Sequence, residues 1–397
     1  MDKKLKIAYI TTQFPAPSET FACSDARILH RLGVDIEVFS QKPAHRDSEE
    51  MVKDRDLNNI SITCCGTKEY IFGLFACLRD LNMSIPLIFW LLKNDFNKPF
   101  NLLKCLALVP ASFFIFRRIK EHNPSVTHLY WGHYPSIVGY LIKKYSPQIK
   151  VSMFLGAYDL EMRLGISASL ARMADFIFTQ SSANVEAMRG IGLDESRISV
   201  VHRGIDIAYL NSFSNITCAK RNKILTAGRL IKEKGFDKVI QAFDIVLKRT
   251  PDAQLSIVGD GNFRKKLENL SDSKGIRDYI KFYGHIQQHN LFQMMKKHAF
   301  FVLLSYKKGE RLPNVIKEAM LAKCICISSY TPGIEELILH GETGFIVSDN
   351  DVEITANIIT QLSYFEKERI AENAHKFIEK KFNAEILMKE YIGKWRQ

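Results

Sequence analysis

Short apolar runs alternate with longer amphipathic ones, and that alternation constrains the fold more than any other feature of this chain. Lys6–Thr11 reads as a strand, residues 20–32 as a helix that Gly33 can close, and Asp35–Ser40 as a second strand. Strand, helix and strand in that order build a βαβ unit, whose strands lie parallel. The pattern returns at 126–130, 150–154, 176–179 and 198–201. After a polar, strand-poor stretch it resumes at 223–227, 254–258, 279–283, 299–304 and 325–328. The expected class is α/β, and 397 residues exceed one comfortable core, so two domains are expected.

Several function classes fall away early. A dinucleotide-dependent oxidoreductase shows G-x-G-x-x-G after its first strand, whereas residues 12–19 contain no glycine. Net charge is +12, which points to an anionic partner: phosphorylated substrate, acidic membrane face or nucleic acid. No zinc-finger spacing or RNA-recognition signature supports the last, so no nucleic-acid partner is expected. The eight cysteines include no C-x-x-C pair and read as reduced thiols. The apolar run at the first strand is too short for a signal peptide, and no stretch approaches the length of a spanning helix. A cytoplasmic location is expected.

The stretch 305–320 carries the most chemistry. An apolar strand leads into a loop holding Glu310, then Pro313 at a helix start, with Glu318 about a turn and a half inside. A helix start offers free N–H groups and a positive dipole end that suit phosphate. Carboxylates on either side accept hydrogen bonds from sugar hydroxyls, so the pattern suits a nucleotide joined to a sugar. A second cluster follows strand 223–227. Gly228 lets backbone pass close to a ligand, and Arg229 and Lys234 can reach an anion there.

These motifs resemble glycosyltransferase family 4 of the E-x7-E type, in members that assemble bacterial surface polysaccharides. Glu310, Leu312, Pro313, Asn314, Val315 and Glu318 match one family motif; Gly228, Arg229, Lys234, Gly235 and Phe236 match another. The resemblance implies a GT-B architecture: two Rossmann-like parallel-sheet domains facing across a cleft, with a C-terminal helix crossing back to the first domain. It places an acceptor-binding domain at 1–206, a linker at 207–222, a nucleotide-sugar domain at 223–380 and the returning helix at 381–397. It implies a metal-independent hexosyltransferase that retains anomeric configuration and takes a nucleotide-sugar, UDP-linked for preference. Arg229 and Lys234 would neutralise the diphosphate, Glu310 hold the sugar and Glu318 the ribose. Gly259, His285 and Ile286 would line the donor site, the latter two against the nucleobase. Three positions depart from the family: Arg311 for Gly, Leu155 for His, and Arg203 for Asn.

On the first domain, Ser18, Glu19 and Thr20 match an opening seen in polysaccharide-assembly members, and also suit a helix cap. His128 and His133 lie near a strand's carboxyl end, where parallel-sheet enzymes place their sites; plain structural hydrogen bonding is equally open. Asp159 is a candidate to touch an acceptor or sugar hydroxyl, or to cap the next helix. Residues 70–120 mix aromatic, aliphatic and basic side chains. They suit helices facing an anionic membrane, or ordinary packing on the sheet. Two D-x-D triplets, at 54–56 and 349–351, fall outside strand ends and are expected to hold no metal. The expected acceptor is a lipid-linked oligosaccharide or lipopolysaccharide at the inner membrane face. The alternatives are a GT-B-fold nucleotide-sugar epimerase, or a non-catalytic membrane-associated nucleotide-binding protein. The residues 341–347 read as a hairpin-like return.

Overall fold

The structure is a computed structural model describing residues 5–17, 20–212, 223–307, 309–348 and 351–397. Two compact units make up the chain: Met1–Arg203 with Ala384–Gln397, and Gly204–Asn383.

The first unit holds a seven-stranded sheet of β1 (Lys6–Thr11), β2 (Asp35–Ser40), β3 (Ser61–Cys64), β4 (Val126–Leu129), β5 (Lys150–Phe154), β6 (Phe176–Thr179) and β7 (Ile198–Val200). Their order across the sheet is β3-β2-β1-β4-β5-β6-β7, every neighbour parallel. The inner strands are buried on both faces and read as near-continuous apolar runs, while the edge strands β3 and β7 are partly exposed; a core packs on each side. The order reverses between β1 and β4. Loops leaving the two strands diverge there, opening a crevice at their carboxyl ends.

The second unit repeats the plan with β8 (Lys223–Ala227), β9 (Gln254–Val258), β10 (Ile280–Phe282), β11 (Phe300–Leu303), β12 (Ile325–Ser329) and β13 (Phe345–Val347), ordered β10-β9-β8-β11-β12-β13. Its reversal falls between β8 and β11. Cores again cover both faces.

Several expectations are corrected. The stretch 341–347 is not a hairpin: β13 pairs parallel to β12, Ile327 beside Phe345, after the turn closed by Gly341 N–H on the Gly344 carbonyl at 2.8 Å. Residues 207–212 of the expected linker form a helix, Ile207–Ser212, whose Leu210 is buried in the second unit's core; 213–222 lie outside the described residues. Near the end come two helices, Val352–Gln361 and Tyr364–Lys381, separated because Ser363 caps the second and its partner Glu366 completes a capping box. Asp351 of the second D-x-D accepts from Ile354 N–H at 3.0 Å as a helix cap, while Asp349 lies outside the described residues. Seven cysteines are free thiols, mostly buried; Cys218 lies outside the described residues.

The final helix, Ala384–Trp395, belongs to the first unit. Tyr391 stacks on Phe178 at 4.1 Å, and Trp395 Nε1 donates to Ser152 Oγ at 2.9 Å. Among the described residues, no single helix is long and apolar enough to cross a membrane.

Candidate active site

In the second unit, the loops leaving β8 and β11 meet because the strands are neighbours at the point of reversal. Lys234 comes from the first loop and Glu310 from the second. The Lys234 ammonium donates to both Glu310 carboxylate oxygens at 2.7 Å. Ser305 Oγ donates to Glu310 Oε2 at 2.6 Å and to the Glu233 carbonyl at 3.2 Å. Lys234 and Glu310 are mostly covered, which strengthens their pairing above that of a surface ion pair. A carboxylate has about four acceptor positions, so Glu310 keeps capacity for further hydroxyl donors.

Close backbone approach fixes this geometry. Gly235 has φ +68°, and a Cβ there would stand 1.8 Å from the Leu304 carbonyl oxygen. Only glycine lets the Lys234 turn sit on the end of β11. Gly259, at φ +129°, likewise puts its backbone against Gly228, where a Cβ would lie 1.9 Å from the Gly228 carbonyl oxygen. Gly259 N–H donates to the Gly284 carbonyl at 2.8 Å, and Gly228 N–H to that of Val258 at 3.0 Å. Glycines 228, 259 and 284 thus follow the carboxyl ends of β8, β9 and β10 closely. His285, exposed, and Ile286, half-buried, follow directly. Arg229 is exposed and makes no ion pair among the described residues.

Beyond Glu310 the chain turns through Leu312, a non-glycine residue at φ +46°, into Pro313 and the helix Asn314–Leu321. Leucine pays a steric penalty in the left-handed region and is held there by its own burial. Pro313 accepts from Ile316 N–H at 3.1 Å; the Asn314 and Val315 amides have no backbone acceptor among the described residues. Glu318, 5% exposed, accepts from Gln288 Nε2 at 2.6 Å. Burial pushes its carboxyl up to about 7, against smaller opposing effects of Gln288 and the buried Lys317.

Gln288, Ser305 and Lys317 are contacts the sequence reading did not assign. Ser305 opens the recognised motif, but nothing in its spacing pairs it with Glu310. Gln288 lies a full strand and helix before its partner. Arg311, in place of glycine, donates to the Glu310 carbonyl at 3.1 Å.

In the first unit the crevice between β1 and β4 gathers a second group. His133 Nδ1 lies 2.9 Å from Asp159 Oδ1, and Nε2 lies 3.2 Å from Thr12 Oγ1. Asp159 Oδ2 accepts from Gly156 N–H at 3.0 Å, completing a capping box, so its two readings, cap and site residue, share one carboxylate. His128 is corrected out of the group. It is 2% exposed, pairs through Nδ1 with Ser152 Oγ at 2.9 Å, and packs against Tyr9, Tyr391 and Trp395. Desolvation holds it neutral, its titration lowered to about 3. Leu155 also turns inward: fully buried, it reaches the space over Gly132 that a Cβ would need. Arg203 lies buried between the rings of Tyr130 and Phe154, its guanidinium 3.5 Å from Asp25. Thr20 begins a helix; Ser18 and Glu19 lie outside the described residues.

Comparison with known proteins finds likenesses over part and over all of the chain. Residues 211–383 match the family described as Glycosyl transferases group 1. The chain is 24% identical to the amylovoran biosynthesis glycosyltransferase AmsK of Erwinia amylovora, over 97% of this chain and 98% of that protein. It is 26% identical to the capsular polysaccharide biosynthesis glycosyltransferase CapM of Staphylococcus aureus, over 61% of this chain and 62% of that one. The solved structure of Anabaena HepE in complex with UDP and glucose superposes with a TM-score of 0.72 at 16% identity, covering 99% of this chain and 100% of that one. Two parallel-sheet units of this kind are those of the GT-B fold. The match to the group 1 glycosyl transferases takes in Lys234 and Glu310.

Proposed function

We propose that this glycosyltransferase moves a hexose from a nucleotide-sugar, UDP-linked for preference, to a lipid-linked oligosaccharide or lipopolysaccharide acceptor in bacterial surface-polysaccharide synthesis. It works with retention, without a metal, from the cytoplasm at the inner membrane face. The observation that carries the reading is the meeting of Lys234, Glu310 and Ser305 beside a glycine-lined strand edge and a helix start. Cleaving the sugar–phosphate bond builds negative charge on the departing diphosphate and positive charge on the sugar. Lys234, Arg229 and the amides of Asn314 and Val315 supply fixed positive charge and donors for the former. Glu310 accepts from sugar hydroxyls while held by Lys234, so the group that grips phosphate also orients the group that grips sugar. Glu318 accepts the ribose hydroxyls, and the backbone near Gly259, His285 and Ile286 admits the base.

The departing phosphate takes the acceptor proton late, so no protein carboxylate need attack the sugar. His133 and Asp159 hold the acceptor hydroxyl. UDP and glucose in HepE, and capsule synthesis in the CapM name, favour the donor and the pathway class. Calorimetry with UDP-, GDP- and ADP-sugars, followed by a radiolabel transfer assay to lipid extract, tests the proposal. UDP-sugar binding with label in the lipid fraction is expected. Label released as free epimerised donor would instead favour the epimerase.

A further inference from the structure

Residues 67–122 form four consecutive helices, Thr67–Arg79, Leu81–Asp95, Pro99–Ala107 and Val109–His122. The first is built inside out. Its buried positions are Gly73, Ala76 and Cys77, and a Cβ on Gly73 would stand 1.9 Å from the Pro110 carbonyl oxygen. The small residues therefore face the protein, and the large apolar ones face outward: Phe72 and Phe75 are 56% and 66% exposed. An ordinary surface helix has the opposite arrangement. The next two helices continue it with Phe89 at 68% and Phe100 at 81%. Rings this exposed on consecutive packed helices are far more than scattered surface hydrophobics.

Charge selects the occupant. Residues 67–122 hold eight Lys and Arg against four Asp and Glu. All four acidic groups are engaged: Glu69 with Gly66 N–H, Asp80 with Arg117, Asp95 with backbone amides and Glu121 with Arg118. Lys68, Lys93 and Lys104 stand exposed among the rings. Aromatic rings beside lysines match an anionic bilayer, where rings enter the interface and lysines reach the headgroups. A second copy would bring the same positive charge against it.

The same helices are tied to the acceptor-side group. Asp95 accepts from the Gly165 and Ile166 amides at 2.8 and 3.0 Å, and Trp90 Nε1 donates to Ser169 Oγ at 2.9 Å. A Cβ on Gly165 would meet the Asn94 carbonyl at 1.9 Å. Lys98 Nζ donates to the Met162 carbonyl at 3.2 Å, closing the segment that carries Asp159. We infer that the outward faces of the Thr67–Arg79, Leu81–Asp95 and Pro99–Ala107 helices are a docking surface for an anionic lipid bilayer, braced directly against the segment bearing Asp159. The inference rests on the proposed reading for its purpose, delivery of a lipid-borne acceptor, while its geometry is independent of it.

The test uses the whole protein with vesicles of phosphatidylglycerol or of phosphatidylcholine, in co-sedimentation. Wild type is expected to partition about tenfold or more in favour of the anionic vesicles, and F75S/F89S/F100S to lose about tenfold of that binding. Calorimetry with UDP and analytical ultracentrifugation accompany both proteins. UDP binding unchanged in the triple variant shows that it is folded. Wild type that ignores anionic vesicles, or a triple variant that still binds them equally, overturns the inference. So does a wild-type dimer that the substitutions convert to monomer, since a second copy would then be the occupant. Vesicle binding without any UDP binding would leave the docking surface standing and sink the nucleotide-sugar reading.

Discussion

Replacing Glu318 by glutamine tests whether a buried carboxylate is kept at a cost to the fold. Burial raises its titration from 4.5 to about 7. Each unit corresponds to ~1.4 kcal/mol, so ionising this group in the folded chain costs about 3 kcal/mol above neutrality. A raised carboxyl favours the neutral form in the folded state. The contribution is therefore harmless below pH 4.5, and stability is lost progressively as pH rises from there through 7. Glutamine keeps an oxygen for the Gln288 donor at 2.6 Å and removes the charge. E318Q should thus be more stable than wild type by about 3 kcal/mol at pH 8 and equal to it near pH 4.5, a difference of roughly 6–12 °C in melting for a unit this size. All three tryptophans, Trp90, Trp131 and Trp395, lie in the first unit, so their fluorescence serves as an internal control. Amide exchange in the helix Asn314–Leu321, measured at several pH values, reads the second unit. Parallel wild-type and E318Q profiles from pH 5 to 8 would refute the reasoning. UDP affinity offers a companion readout: if ribose hydroxyls need the ionised form, wild-type affinity falls below pH 7 and the variant's does not.

K234A should lower transfer by about a hundredfold or more, the usual loss for a removed anion-stabilising donor, with single-turnover kinetics as the measurement. D159N should reduce kcat with acceptor while leaving UDP affinity within about twofold, since the carboxylate lies in the other unit from the donor residues. G235A should destabilise the second unit by about 3 kcal/mol or more in a denaturant titration, because its Cβ has no room against Leu304. Treatment with EDTA should leave transfer unchanged; loss restored by manganese would contradict the metal-free mechanism.

The inner strands were legible because both faces of each sheet are covered, which makes β1, β5 and β8 simple apolar runs, whereas the polar edge strand β3 gave no such signal and β13 was read as part of a hairpin. The Lys234–Glu310 pairing was half legible. Each residue lies in a local motif, but their contact depends on β8 and β11 being neighbours, which follows from sheet order and not from spacing. The Thr12, His133 and Asp159 group is assembled from two loops and a helix start in the same way, so the sequence offered His133 and Asp159 singly and Thr12 not at all. His128 misled because strand ends are also where buried histidines sit; only the returning helix, with Tyr391 and Trp395 over the ring, decides its role. In residues 70–120, apolar periodicity marks an amphipathic helix without saying which side faces the protein. Gly73 against Pro110 answers that, and a sequence pattern cannot.

The return of Ala384–Trp395 to the first unit has a consequence for biosynthesis. Residues near both ends of the chain share one core: Leu5, Ile7 and Tyr9 pack in the cluster that also holds Leu387, Tyr391 and Trp395. On the ribosome, the uninterrupted second unit has all its strands available while the earlier-made first unit still lacks a wall. The half translated first is thus completed only after residues 384–395 have been made, and its aromatic core stays open on that side until then.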